Sequence, residues 1–399
     1  MRSHKFEMQV EVVHFDKQDN IKNIYLYPLS YVKEDEISIE VLQDKEVIKE
    51  FSFPVRSFVE CFGRHFASYF SGKDSTMTKV DGTTISTSID MADPFNINAS
   101  AGTGSFGMWL GIGITAVAFT DVQAPNKIAN GTGTGQLLYG NTTVGSSSVV
   151  ITGYSLAIQR LFTNNSGADI RIRETGIISQ DSGGNQYLLL RDRINENGVD
   201  IDLTLSNGQS VNVTYKFYVD STGYLNENFL KGLSSAFGGI STGFKTTTYD
   251  TVGSQSIQFT TGANWAVSAV TATIDTWGIV VGSGSASISP GATYKLAAQI
   301  PHGTGVGTVY YDVGEGEDLS ITTGTGSVIF KRKFINQSPS SSVITETGIY
   351  MHGEAKSGGN FVNSSNNKIC ILRTPIDTID LLASESLLVR YLLNLRTVG

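Results

Sequence analysis

The stretch "VNVTYKFYV" alternates Val211, Val213, Tyr215 and Phe217 with Asn212, Thr214, Lys216 and Tyr218, an apolar face against a mostly wet one. That period of two predicts a half-buried strand. "SSVVITGYSLAIQRLF" and "GSVIFKRKF" carry β-branched residues with near-alternating polarity and run into Asn-containing turns, so they also read as strands. Two stretches follow another period. In "PVRSFVECFGRHFASYF" the apolar Val55, Phe58, Val59, Phe62, Phe66 and Tyr69 recur at steps of three and four. This predicts an amphipathic helix with Pro54 in its first turn and Gly72 just past its end. A second helix is predicted over "ENFLKGLSSAF", capped by Asn226. Such a stripe either packs on its own domain's sheet, the commoner outcome, or lies on a membrane surface. The N-terminal stretch from "FEMQVEVVHF" to "VIKEFSFPV" reads as further strands between charged turns, forming a small β-domain or adding strands to the domain after it.

The pattern repeats. Glu174 of "RETGIISQ" recurs as Glu346 of "TETGIYMH", 172 positions on. The same step carries Gly131, Gly133 and Gly135 onto Gly303, Gly305 and Gly307, and Arg160 and Phe162 onto Arg332 and Phe334. Toward the N-terminus the step is 171: Phe58, Val59, Phe62 and Phe66 fall on Phe229, Leu230, Leu233 and Phe237, and Gly111 and Gly113 on Gly282 and Gly284. Toward the C-terminus "LLLRD" pairs with "CILRT", Arg191 onto Arg373, and "GQSVNVTYKF" with "SESLLVRYLL", Tyr215 onto Tyr391. A period this long marks a duplicated domain. The expected organisation is an N-terminal β segment over 1–53, a first repeat over 54–222 and a second over 223–399. Short strands without intervening helices predict a mainly β fold: two tandem antiparallel β-sandwich or jelly-roll-like domains, each opened by an amphipathic helix.

Composition sharpens this picture. Gly is abundant at 43 and Pro scarce at 8, which suits many strands joined by tight polar turns and not a helical bundle. The net charge is −8 without a long basic stretch, so direct nucleic-acid binding is not expected. Cys61 and Cys370 are too few for a disulfide framework, and no C-x-x-C offers a zinc site. The start "MRSHKFEMQVEVVHFD" lacks a secretory apolar core, and no apolar run approaches the ~20 residues of a membrane helix, so a cytoplasmically made protein is expected.

Candidate chemistry is thin. "GIGITA" at Gly111 satisfies a dinucleotide fingerprint formally, but no helix pattern follows it, so a tight β-turn is expected. The histidines His4, His14, His65, His302 and His352 lack metal-ligand spacing; Cys61 and His65 lie one helical turn apart without a further ligand nearby. "DVGEGED", Asp312 to Asp318, gathers carboxylates on a Gly-rich stretch and reads as a solvated hairpin tip, with a bound cation as the alternative. There is no G-x-S-x-G elbow, and nothing singles out an acid pair for glycoside hydrolysis. No cofactor is expected. The polar residues worth naming are those both copies keep: Glu174, Thr175, Gly176, Arg191 and Tyr215, with Glu346, Thr347, Gly348, Arg373 and Tyr391. Each Glu either pairs with its Arg across a hairpin, fixing register, or both are independently exposed.

The order of a helix with paired apolar residues, then "VDGTT", "GIGIT", "RETGI", "LLLRD" and "GQSVNVTYKF", resembles structural proteins of tailed-bacteriophage virions. In that set an E-x-G-[IL] turn precedes a [LI]-x-R-[DT] strand and a G-x-S-hydrophobic-x-V-x-Y strand. Both copies follow it over nearly the whole chain after residue 54, the second departing with Thr374 for Asp192 and Ser384 for Gly208. The resemblance implies a non-enzymatic virion component of tail, collar, fibre-base or head-decoration type, assembled in the host cytoplasm. Its partners would be further copies of itself and other virion proteins, and a lone subunit would expose large apolar patches. The alternative is a fibre- or adhesin-like protein gripping a host-surface glycan, for which 16 Tyr and 20 Phe supply stacking material. A β-sandwich glycan hydrolase ranks last.

Overall fold

The structure, a computed structural model, describes residues 7–28, 36–55, 58–71, 75–87, 96–145, 148–150, 153–220, 228–229, 247–249, 256–258, 275–286, 295–316, 320–322, 325–357 and 360–396. In chain order the principal elements of the first half are β1 (Glu7–Phe15), β2 (Ile21–Pro28), β3 (Glu36–Gln43), β4 (Glu46–Pro54), helix α1 (Glu60–Ser71), β5 (Gly107–Gly111), β6 (Leu138–Val144), β7 (Gly153–Thr163), β8 (Glu174–Gln180), β9 (Gln186–Arg193) and β10 (Ser210–Asp220). The second half adds β11 (Gly278–Gly282), β12 (Tyr310–Gly316), β13 (Thr325–Ile335), β14 (Ser342–Ser357), β15 (Asn360–Leu381) and β16 (Ser386–Arg396). The protein is mainly β, and the pairings among these strands are antiparallel.

Two larger sheets have matching orders: β4-β3-β10-β7-β6 and β2-β1-β16-β13-β12. Two smaller ladders match as well, β9-β8-β5 and β15-β14-β11. The alternation read in "VNVTYKFYV" fixes the first sheet's register. Val211, Val213 and Tyr215 face the core opposite Phe162, Arg160 and Ile158 on one side and Val41, Ile39 and Ile37 on the other. In the second sheet Leu387, Val389 and Tyr391 stand likewise between Phe334, Arg332 and Phe330 and between His14, Val12 and Val10. A one-residue slip in either sheet would turn this whole row to solvent.

The N-terminal stretch meets one of its two expectations in part: β3–β4 does add strands to the domain after it, but β1–β2 does not. Among the described residues it builds no sheet of its own. Its two hairpins are shared out, and in crossed order: β3–β4 extends the first repeat's sheet, while β1–β2 pairs with β16 near the far end of the chain.

The first helix starts later than its periodicity predicts. Pro54 closes the edge strand β4, where a missing N–H costs nothing, and α1 begins only at Glu60. Phe53 and Val55 are buried as continuations of the strand pattern, and Phe58 bridges to Leu190 before the helix turns. From there Phe62 and Phe66 carry the stripe inward, so the helix packs on β9 and also approaches β12 and β13. Gly72, the side chain of Tyr69 and all of the second predicted helix except Asn228 and Phe229, which are helical, lie outside the described residues. Buried side chains from both halves belong to one apolar cluster.

Candidate functional site

The residues shared by the copies meet inside each half. Glu174 opens β8, where its carboxylate is fully buried. The backbone register sets Glu174 opposite Arg193 and Gly176 opposite Arg191, so the ion pair runs diagonally across the hairpin. Arg191 Nη2 lies 2.8 Å from Glu174 Oε2, and its Nη1 donates to Asp121 Oδ2 at 2.9 Å. In the second half Arg373 Nε donates to Glu346 Oε2 at 2.6 Å and Nη2 to the Ala286 carbonyl at 2.8 Å. Burial alone would lower the Arg191 pKa; the Glu174 and Asp121 carboxylates outweigh it and hold the guanidinium above its ordinary value. The expectation of a turn at E-T-G-I is corrected: in both copies it is strand.

The glycines of "GIGIT" and "SGSAS" are explained by these carboxylates. Gly113 N–H donates to Glu174 Oε1 and Gly284 N–H to Glu346 Oε1, both at 3.1 Å. A Cβ at Gly113 would lie 2.3 Å from Glu174 Oε1, and one at Gly284 2.5 Å from Glu346 Oε1. Only glycine lets the strand end come this close to a buried acid. Gly111 ends β5 and residues 112–127 form no helix, so the dinucleotide fingerprint lacks the helix N-terminus it requires. Thr175 and Thr347 donate to the carbonyls of Trp109 and Val280 at 3.0 and 2.9 Å. At Gly176 a side chain would strike the Trp109 indole, and at Gly348 the side chain of Leu296. Tyr391 Oη donates to Thr347 at 3.2 Å, and Tyr215 stands beside Asp192 and Thr175; burial raises the pKa of both phenols.

A second pair of residues, which in the sequence only anchors the repeat, proves equally central. Arg160 on β7 is 1 % exposed and fans its guanidinium onto backbone carbonyls: Gly140 at 2.9 Å, Met108 at 2.7 Å and Thr103 at 2.6 Å. Arg332 repeats this with Asp312 at 2.7 Å, Ile279 at 3.1 Å and Trp277 at 3.2 Å. Each lies over a tyrosine ring, Tyr139 at 4.7 Å and Tyr311 at 4.8 Å, which donates its own hydroxyl to Ile128 or Ile300 at 2.6 Å. Burial lowers both guanidinium pKa values to about 10, so they stay charged at neutral pH. These arginines join the larger sheet to the smaller ladder. The signal that could have found them was an Arg kept at the 172 step inside an apolar strand.

A third repeated device closes the C-terminal turns. Asn164 and Asn336 donate their amides to Leu205 and Leu381, both at 2.7 Å, and hold the following Ser166 and Ser338 N–H groups at 3.0 Å. The turn residue opposite is Gly208 with φ +86° in one copy and Ser384 with φ 68° in the other.

The remaining candidates do not assemble into reactive groups. His65 Nδ1 lies 2.8 Å from the Cys61 carbonyl within α1, and burial lowers its pKa to about 4 while raising that of the Cys61 thiol. Asp312 to Gly316 lie in strand β12 rather than at a hairpin tip; Glu317 and Asp318 are outside the described residues. Among the described residues no three His, Cys, Asp or Glu side chains are placed to hold a metal ion, and no helix is long and apolar enough to cross a membrane. Comparisons with protein-family models, with curated proteins and with solved structures found no match.

Proposed function

We propose that this chain is a non-enzymatic structural subunit of a tailed-phage virion, built from two tandem β-sandwich modules and acting through contacts with other copies and other virion proteins. One observation carries the reading: the polar residues that both copies keep are turned inward and hold each other. Glu174 and Glu346 are engaged by an arginine and by backbone N–H groups, and Arg160 and Arg332 by carbonyls. A duplicated enzyme or lectin would be expected to keep an open constellation; this chain keeps its fasteners. Two like modules in one chain suit two quasi-equivalent places in a ring or along a fibre. Mass spectrometry of density-purified particles from the phage that encodes the chain tests this. The protein is expected at stoichiometric copy number; its recovery only in the soluble lysate would contradict the reading.

A second reading, recognition of a glycan, is favoured by a groove of about 310 Å³ on the first sheet, lined by Leu42, Asn141, Thr143, Gln159, Arg160, Leu161 and Asn212, with the Arg160 guanidinium turned inward onto carbonyls. Amides and a hydroxyl beside apolar surface match the donors and faces of a sugar. Binding on a host-glycan array, lost in Gln159→Ala, would favour this reading over the first.

A further inference from the structure

The outer faces of the two large sheets differ where their inner faces agree. Matching the registers places Ile24 and Leu26 of β2 where the first sheet has Glu50 and Ser52 of β4. Behind them, Leu388 and Leu392, both half-buried, stand where the first sheet has Asn212 and Lys216, and Val13, already buried, stands where it has Glu40. Every one of these positions is polar in the first repeat and apolar in the second. Among the described residues both β2 and β4 are sheet edges. An edge strand offers unpaired N–H and C=O groups to any strand that approaches, and proteins ordinarily blunt it with charge. β4 is blunted, with Glu46, Lys49 and Glu50 along it. β2 carries no charge from Asn23 to Tyr27, and Ile24 and Leu26 are 56 % and 58 % exposed.

We propose that β2 is an interface to a second copy of this chain, pairing antiparallel with the partner's β2 across a two-fold axis so that two sheets become one. The inference deepens the proposed role in subunit contacts and rests on it for the kind of assembly. The strand fits itself. Read backwards about Tyr25, it sets Ile24 against Leu26 of the other copy on the outer face and tyrosine against tyrosine on the inner. Each Tyr25 already stacks on Tyr27 at 6.5 Å, a flat platform for such a pairing. Charge favours the same occupant. The chain carries a net charge of −8, but the charges bordering this edge are already matched, Glu11 by Arg390 and Lys22 by Glu385, so two copies can meet here without facing unpaired like charges. A charged partner would gain nothing at such an edge.

Sedimentation velocity of the full chain over a wide concentration range tests this, together with the Ile24→Lys/Leu26→Lys double variant and a Val47→Lys control on edge β4. The wild type and control are expected to be dimers, and the double variant a monomer with a dissociation constant raised about a hundredfold or more. Far-UV circular dichroism establishes that the variant is folded. If it is not, hydrogen exchange on the wild type decides: amides from Asn23 to Tyr27 are expected to gain protection as concentration rises. A wild type that stays monomeric, or a folded double variant that stays dimeric, overturns the β2 pairing. Either result leaves the virion reading to the particle analysis, where the chain's presence would show that only the contact was misassigned.

Discussion

The two halves of this molecule agree inside and disagree outside. Buried, each has a carboxylate clamped by an arginine, a second arginine fanned onto carbonyls over a tyrosine, and an asparagine closing the last turn. On the outer faces Glu40, Asn212 and Lys216 of one half stand where Val13, Leu388 and Leu392 stand in the other. Both halves have to satisfy the same buried polar groups, because an unpaired buried charge is costly. The outer-face positions are under no such constraint. The difference separates the positions that fold each half from those on its outer face.

The comparison can be sharpened first at the ion pairs. Glu346 accepts from Arg373 and from the N–H groups of Gly284, Ala297 and Ala298, and Arg373 has no second carboxylate among its described partners. Glu174 shares Arg191 with Asp121. Glu346→Gln is therefore expected to cost about 3–5 kcal/mol in chemical denaturation, and Glu174→Gln distinctly less, since Asp121 still compensates the guanidinium. Equal costs would show that Asp121 contributes nothing.

Acid distinguishes the halves next. His65 is buried in α1, and the 171 step puts Ala236 at its counterpart. The folded pKa of about 4 lies below the ordinary 6.5, so the unfolded chain takes up the proton first as pH falls. That stability is whole above about pH 6.5 and lost on the way down to about 4, by up to about 3 kcal/mol. Asp181 is the facing charge, opposing the shift. Unfolding free energies across this range should flatten in His65→Gln; an unchanged slope would place the acid sensitivity elsewhere.

Gly113→Ala and Gly284→Ala push a methyl group onto the clamped carboxylates and are expected to cost about 1–3 kcal/mol each, read as falls in Tm. The smallest effect is a trade of turn residues. Ser384 holds a left-handed backbone that Gly208 adopts freely, so Ser384→Gly should stabilise and Gly208→Ser destabilise, each by about 1 kcal/mol. The same sign in both would contradict the equivalence of the two turns.

Much of the interior was legible in the sequence because its signals are local or periodic. Strand alternation around Val213 and Val389, and the 172 step joining Glu174 to Glu346, stand in the sequence itself. Whether those acids pair or lie exposed was not legible, since the Glu174–Arg191 diagonal depends on a bulge between Ile177 and Ile178. Nor was the crossed assignment of the N-terminal hairpins. Val12 pairs with Val389 across most of the chain, and nothing near Val12 names that partner. The helix start is ambiguous in the sequence because Val55 and Phe58 fit the helical stripe as well as they fit a strand and bridge. Pro54 suits a helix's first turn and an edge strand equally.

The central claim is that the residues both copies keep are fasteners. A double-mutant cycle at Glu346 and Arg373, using Glu346→Gln, Arg373→Met and their combination, tests it most directly. Coupling of about 2 kcal/mol or more, with the double variant more stable than either single one, is the predicted result. Additive losses would contradict the claim and leave the shared motif without its structural explanation.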